Sequence, residues 1–359
     1  NLIRIPHSNK NSPGRAFFNL FSTIPYNISK YYSGRCEARL KEVLANNRFD
    51  VVHVDHLHMG HYGLLCKQYT GVPIVLREHN VESVIMERYL SVTKSSILRV
   101  WLRSQLRRIR KYETQMAGRF DACCMVTKQD EKNLRSLQPS ARTWVIPAGV
   151  EERYFESPPG REKIPNSVAL VGDFQWRPNR DALSWFVEAI FPRVLEKRPQ
   201  TVLYIIGKNI PEMIKAPGPR TVVIRGLVDD FREELQQYEM LVVPLRVGGG
   251  IRLKILESFA MRIPVVSTAI GCEGIEAAHN GHLLIADTEE AFAVEIIRLF
   301  AEGSLKDVLT RNANALVQKQ YRWEDLGRAF EGVYEAMINR KKAGRGNGIV
   351  GNQRTREKQ

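Results

Sequence analysis

The chain has no apolar run approaching the roughly 20 residues that cross a bilayer, so nothing in its 359 residues reads as a membrane-spanning helix. Cysteine is sparse. Cys36, Cys66, Cys123, Cys124 and Cys272 form an odd set without metal-type spacing, which argues against both a zinc site and a disulfide framework. Cys123 and Cys124 sit inside an apolar run, as buried reduced thiols do, and this points to a cytoplasmic protein. Acidic side chains are in the minority, 39 against 53 basic ones, for a net charge of +14. That excess calls for an anionic partner: a phosphate ligand, a nucleic acid or an acidic membrane face. Groove-reading and aromatic RNA-binding motifs are missing too, which counts against nucleic acid. No initiating Met and no secretory pattern precede Asn1-Leu2-Ile3-Arg4, so the chain reads as cut at its front.

What is present is an alternation. A hydrophobic content of 43% and a charged content of 26% are globular values, and the length suits about two domains. Short, nearly continuous apolar runs at 51–54, 73–76, 120–126, 168–172, 201–206 and 240–245 read as strands, with helical patterns between them. Such an alternation predicts an α/β protein with parallel sheets covered on both faces. A first domain is expected over 1–155, a Pro/Gly-rich linker over 156–166 and a second domain over 167–322. A helix over 323–340 would return toward the first domain, and 341–359 would be a disordered basic tail. Residues 1–35 are turn-rich and yield no assignment.

The organising stretch is Val247 to Thr268. Gly248, Gly249 and Gly250 follow the apolar run 240–245, and a helical pattern leads into a second apolar run at Ile263–Val266. This is one βαβ unit with a glycine loop at a helix start, where close backbone N–H groups and the helix dipole suit a diphosphate. On a helix beginning at the loop, Gly250, Lys254 and Glu257 share one face, while Leu253, Leu256 and Ala260 share another. Lys254 would meet phosphate and Glu257 ribose hydroxyls. An ordinary amphipathic helix with a solvated Lys/Glu pair explains this segment equally well when it is taken alone.

Other candidates sit at predicted strand ends. Asp55-His56-Leu57-His58 follows the first strand, and His79, within Arg77-Glu78-His79-Asn80-Val81-Glu82-Ser83, follows the second. The histidines and aspartate invite a metal, but no ligand spacing recurs, so plain loop chemistry is the better reading. On the long helix from Ser96, Arg99, Arg103, Arg107 and Arg110 line one side opposite an apolar stripe. They form either a solvated face or a surface for anionic headgroups. The basic tail reads as solvated.

Taken together, certain segments resemble a known family. Gly172-Asp173-Phe174-Gln175-Trp176-Arg177-Pro178-Asn179, Pro244-Leu245, Gly248 to Glu257, Pro264-Val265-Val266-Ser267-Thr268 and Gly271-Cys272-Glu273-Gly274 occur in order. They look like the nucleotide-sugar half of a family 4 retaining glycosyltransferase of the GT-B architecture, as found among bacterial cell-surface polysaccharide sugar transferases. Val145 to Val150 is similar to that family's interdomain strand, with Ala148 where Asn is common, and the Arg77–Ser83 segment resembles its active-site histidine loop. The resemblance spans about residues 48 to 340 and implies two facing Rossmann-like domains. It implies sugar transfer with retention from a nucleotide diphosphate sugar to an acceptor hydroxyl, without metal or other cofactor. Lys254 and Glu257 would serve the donor and His79 would sit near the transferring sugar. Gly172, Asp173, Gly248, Gly249, Gly250, Arg252 and Glu273 would line the nucleotide site.

Three departures stand out. Gly249 occupies the position of the first of the family's paired glutamates, Glu257 that of the second. Asp173 and Pro178 stand where Arg and Lys are usual, so diphosphate charge would fall on Arg252 and Lys254. The family's opening strand and glycine-rich loop are not found ahead of Asn1, which puts activity of this chain in question. A nucleotide-sugar epimerase on the same architecture and a non-enzymatic basic nucleotide- or nucleic-acid-binding protein stay open. The implied location is cytoplasmic, peripheral at an anionic membrane face through Arg99, Arg103, Arg107 and Arg110, with a polysaccharide or lipid-linked sugar as acceptor.

Overall fold

Val52–Asp55 (β1), Ile74–Glu78 (β2), Ala122–Met125 (β3) and Thr143–Val145 (β4) pair in parallel in the order β1-β2-β3-β4. The computed structural model describes residues 2–156, 162–212 and 220–353. Parallel neighbours need long crossovers, and helices Gly60–Thr70, Ser96–Arg119 and Lys128–Leu137 are among the segments between them. Ile74, Val75, Leu76 and all of β3 are fully buried, which is why these strands read as continuous apolar runs. Cys123 and Cys124 lie in that core as free thiols, and burial pushes the Cys124 thiol up to about 12.

The helix Ser96–Arg119 starts where the Ser95 hydroxyl accepts from the Leu98 amide, and it buries Leu102, Leu106, Ile109 and Met116. Its arginines do not act alike. Arg99 donates to the Leu90 and Thr93 carbonyls, and Arg110 pairs with Glu87, while Arg103 and Arg107 are exposed. At Thr127 a capping box is half formed. The hydroxyl accepts from Asp130 N at 2.9 Å, but the short Asp130 carboxylate takes that hydroxyl and reaches toward the Val81 amide instead.

The second sheet contains Ser167–Asp173 (β5), Val202–Lys208 (β6), Val222–Gly226 (β7), Met240–Val243 (β8), Val265–Ser267 (β9) and Leu284–Ile285 (β10). Its order is β10-β9-β8-β5-β6-β7, all parallel. Ile255, Leu256 and Phe259 anchor one of its apolar cores, and Phe186, Phe191 and Phe292 the other. The helix after β5 runs from Arg177 to Lys197 through a π-turn at Phe186–Ile190. Pro192, which lacks an N–H, sits just past that turn.

The chain divides into two compact units, Asn1–Ile146 with Gly327–Gln359, and Pro147–Leu326. The division falls ahead of the expected residue 155, because the Val150 amide bonds to the Tyr321 carbonyl at 2.7 Å inside the second unit. Of the expected linker, 157–161 lie outside the described residues, and the remainder is fastened down. Lys163 donates to the Tyr238 carbonyl at 2.8 Å, and the Ile164 amide to Gln237. The last helix, Trp323–Gln353, runs past the expected end at 340, and 354–359 of the expected tail lie outside the described residues. Among the described residues no helix is long and apolar enough to cross a membrane.

Candidate functional site

In the unit Pro147–Leu326 the strand order reverses between β5 and β8, and open α/β sheets bind ligands at the carboxyl ends flanking such a reversal. The loop after β8 carries the three glycines. Gly248 has φ 150° and Gly250 φ 73°, and a Cβ at Gly248 would collide with the Arg252 guanidinium. The helix begins later than the sequence pattern implies, at Leu253, and runs to Ala260. Gly250 is therefore not on its Lys254 face, and Leu253 is exposed while Leu256 and Ala260 are buried. The left-handed glycines cannot extend the helix backward.

Arg252 is the N-cap, extended at φ −90° and ψ 94°, which frees its side chain from helical spacing. The buried guanidinium turns under the loop, donates to the Gly250 carbonyl at 2.6 Å and to that of Gly249, and lies 5.9 Å from the Trp176 ring. In a trans peptide the N–H points opposite the carbonyl, so the amides of Gly250 and Ile251 face away from Arg252. Neither donates to the backbone of the described residues. Lys254, in the first helical turn, donates to the Val171 carbonyl of β5 at 2.6 Å. Loss of water contact, then the charge of Arg252, lowers its amine to about 8. The loop thus turns its Gly250 and Ile251 amides away from Arg252, while the Lys254 amine is held against the end of β5.

One helical turn on, Glu257 is raised by burial and hydrogen-bonded to the Tyr154 hydroxyl. Tyr154 escaped the sequence reading because it lies in a three-residue turn, Glu152–Tyr154, without periodicity. Gly172 closes β5 against the Asn179 side chain. Asp173 is a brace for its own loop, accepting from the Gln175 amide at 3.0 Å and the Asn209 side chain at 2.8 Å, and the Asn209 bond holds its carboxyl low. Glu273 is half-buried in the turn after β9, beside Cys272, whose thiol burial pushes up to about 11.

The other unit holds a second cluster. The register aligns Asp55 of β1 with Arg77 of β2, so the two strand ends lie side by side. His79 Nε2 and Asp55 Oδ1 are 2.8 Å apart, and the His56 ring stacks on His79 at 4.0 Å. The hydrogen bond to His79 lowers the Asp55 carboxyl, and burial lowers His56. His58 turns elsewhere, its ring 4.8 Å from Tyr31, and burial pushes it to about 4. The pairing of Asp55 with His79 is thus a product of strand adjacency. Asp55, His56 and His79 offer three ligand atoms within 4.8 Å of one another, the set that could hold a cation. Behind it the Glu113 carboxylate accepts from the amides of Glu82 and Ser83, capping the helix Glu82–Val92.

Comparison with known proteins accounts for both units. A family profile described as Glycosyltransferase Family 4 matches residues 11–154, and one described as Glycosyl transferases group 1 matches 165–302. The chain thus pairs a glycosyltransferase family 4 domain with a glycosyl transferases group 1 domain. It is 24% identical over 333 residues to a 44.6 kDa protein of the cps region of Klebsiella pneumoniae, covering 89% of this chain and 81% of that one. It is 22% identical over 327 residues to a phosphatidyl-myo-inositol mannosyltransferase of Mycolicibacterium smegmatis, covering 88% and 79%. Among solved structures it resembles HepE of Anabaena, crystallised with UDP and glucose, with a TM-score of 0.62 and 12% identity over 86% of this chain and 81% of that one. The protein is a glycosyltransferase of the GT-B fold class, built from two parallel-sheet α/β units.

Proposed function

We propose that this transferase moves a sugar from a nucleotide diphosphate sugar to an acceptor hydroxyl, with retention, in the synthesis of a cell-surface polysaccharide or glycolipid. The observation that carries the reading is the Lys254 amine held against the end of β5, one turn from Glu257, on the helix that follows a glycine loop whose Gly250 and Ile251 amides donate to no backbone carbonyl of the described residues. Fixed cations and amide dipoles meet the charge that develops on a leaving diphosphate and need no rearrangement to do so. Arg252 holds the loop in shape from below. Glu257 takes the ribose hydroxyls, with Tyr154 steering its carboxylate, and His79, paired with Asp55, works beside the transferring sugar. The UDP in the HepE structure and the lipid-linked acceptor in the mannosyltransferase's name support the donor and acceptor classes. The working location is the cytoplasmic face of an anionic membrane, with Arg103 and Arg107 free to meet it.

A melting panel of nucleotide diphosphate sugars tests the donor, since a ligand that binds the native state alone raises its stability. Product analysis with a matched donor then separates transfer from epimerisation, which would alter the donor without an acceptor. Because the unit Pro147–Leu326 holds a six-stranded sheet with its own apolar cores, it should bind nucleotide when expressed alone, within a few-fold of the full chain. Loss of binding on isolation would place essential nucleotide contacts outside it. Glu257→Gln should weaken a nucleoside and its diphosphate alike, by ~1–3 kcal/mol, as for a lost charge-assisted hydrogen bond. Unchanged nucleoside binding would remove Glu257 from the ribose.

A further inference from the structure

Residues 13–24 present a feature that sugar transfer does not require. The helix Pro13–Phe18 and the turn Asn19–Phe21 hold Phe17, Phe18 and Phe21 at 59%, 74% and 82% exposure, with Leu20 and Ile24 also exposed. The Phe17 ring meets Phe18 at 5.9 Å and Phe21 at 6.2 Å, both edge-on. These rings are presented by a built scaffold. Asn19 is buried beneath them, donating to the Ile24 carbonyl at 2.9 Å and accepting from Gln105 at 3.1 Å. Arg108 donates to the carbonyls of Asn19 at 2.6 Å and Leu20 at 2.8 Å, and the Tyr26 amide donates to Gln105 at 2.8 Å. Polar groups of the helix Ser96–Arg119 thus grip the turn while its aromatic side chains face solvent. A contiguous exposed apolar patch of this kind marks an interaction site.

Beside Phe18 lies a cavity of about 400 Å³ whose walls include His7, Arg15, Ser22, Ser29, Lys30 and Tyr32. Arg15 is exposed, and the nearby carboxylate of Glu37 is already satisfied by Lys41 at 2.7 Å and the Tyr32 hydroxyl at 2.6 Å. Glu82, a carboxyl that feels Lys30, is raised by burial to about 7. Cations and hydroxyls around a hollow of this size suit a phosphate-bearing group. The outer side of the gripping helix continues the theme, with Ile97 and Val100 at 87% and 65% exposure among the exposed Arg103 and Arg107.

We infer that this cavity seats the anionic headgroup of a membrane phospholipid while Phe17, Phe18 and Phe21 enter the boundary between headgroups and acyl chains. Charge complementarity selects a bilayer over a protein partner: a basic hollow, an aromatic tip and flanking arginines in a chain of net charge +14 match an anionic, layered surface. The inference rests on the proposed membrane-face location and names the groups that make the contact.

Cosedimentation with phosphatidylglycerol/phosphatidylcholine vesicles and with pure phosphatidylcholine vesicles tests it, alongside the melting shift given by a nucleotide diphosphate. Wild type should bind the anionic vesicles at least ~10-fold more tightly. Phe17→Ser, Phe18→Ser and Phe21→Ser combined should lose most binding, and Arg15→Glu should erase the preference for anionic lipid. Each variant should keep the nucleotide-induced melting shift, which shows that it is folded and keeps donor binding a separate question. Indifference of wild type to lipid charge would overturn the inference, as would full binding by the triple serine variant. Loss confined to Arg103→Glu, Arg107→Glu would assign docking to the helix face and leave the cavity without a role. If glycerol 3-phosphate raises the melting temperature but vesicles do not bind, the site takes a free phosphate. A dimer that the serine variant dissolves would make the patch a self-interface.

Discussion

Lys254→Met should weaken binding of a nucleotide diphosphate by ~1–3 kcal/mol, the range for a lost charge-assisted hydrogen bond, while leaving the matching nucleoside almost untouched. The same substitution should not harm the free protein and should raise its melting temperature at neutral pH. The reason is the depressed amine: at about 8, against an ordinary 10.5, Lys254 carries its charge at a cost in the folded state. Below pH 8 both folded and unfolded chains hold this proton, and the cost is present in full. Between 8 and 10.5 the unfolded chain holds the proton more often, so stability rises with pH and the cost is relieved. Wild type should therefore gain on the Met variant as pH is raised from 7 to 10. Diphosphate binding runs the other way, because the anion needs the charged amine: affinity should be flat below pH 8 and fall above it. Equal weakening of nucleoside and diphosphate would show that Lys254 is a packing residue.

The sequence carried the architecture further than it carried the site. Strands such as 73–76 and 120–126 were legible because burial on both faces leaves no polar alternation to confuse them, and Ile74–Leu76 and all of β3 are indeed buried. The helix Glu82–Val92 was not, since its cap is Glu113, a residue of another helix that sequence proximity cannot supply. In the loop-and-helix segment, the place of Lys254 and Glu257 a turn apart on one helix was readable from spacing. The position of Arg252 was not, because a helix drawn from Gly250 turns its side chain away, whereas the left-handed glycines delay the helix and free Arg252 to fold beneath the loop. The Asp55–His79 and Tyr154–Glu257 contacts depend on elements brought together by folding, and no local pattern announces them. The aromatic turn at 17–21 escaped for another reason: its segment has no periodicity, and its meaning lies in what stays exposed.

Gly207→Ala should prevent stable folding of the unit Pro147–Leu326, costing more than ~4 kcal/mol, and nucleotide binding should vanish with the fold. Gly207 pairs with Gly172 across β6 and β5, at the strand ends that open into the candidate site. Its φ is 135°, and a Cβ there would overlap the Gly172 carbonyl oxygen and lie 2.8 Å from the carbonyl carbon. The colliding atoms are backbone, so no rotamer change relieves them, and β5 and β6 would have to part. Gly226→Ala supplies the control. Gly226 also has positive φ, 71°, but a Cβ there meets nothing within 4 Å. It should cost ~1–3 kcal/mol, the backbone strain alone, and the unit should still bind nucleotide. Thermal unfolding of both variants followed by a nucleotide melting shift separates the two effects. If Gly207→Ala melted as high as Gly226→Ala and still bound nucleotide, the close approach of β5 and β6 at Gly172 would not be what shapes the site.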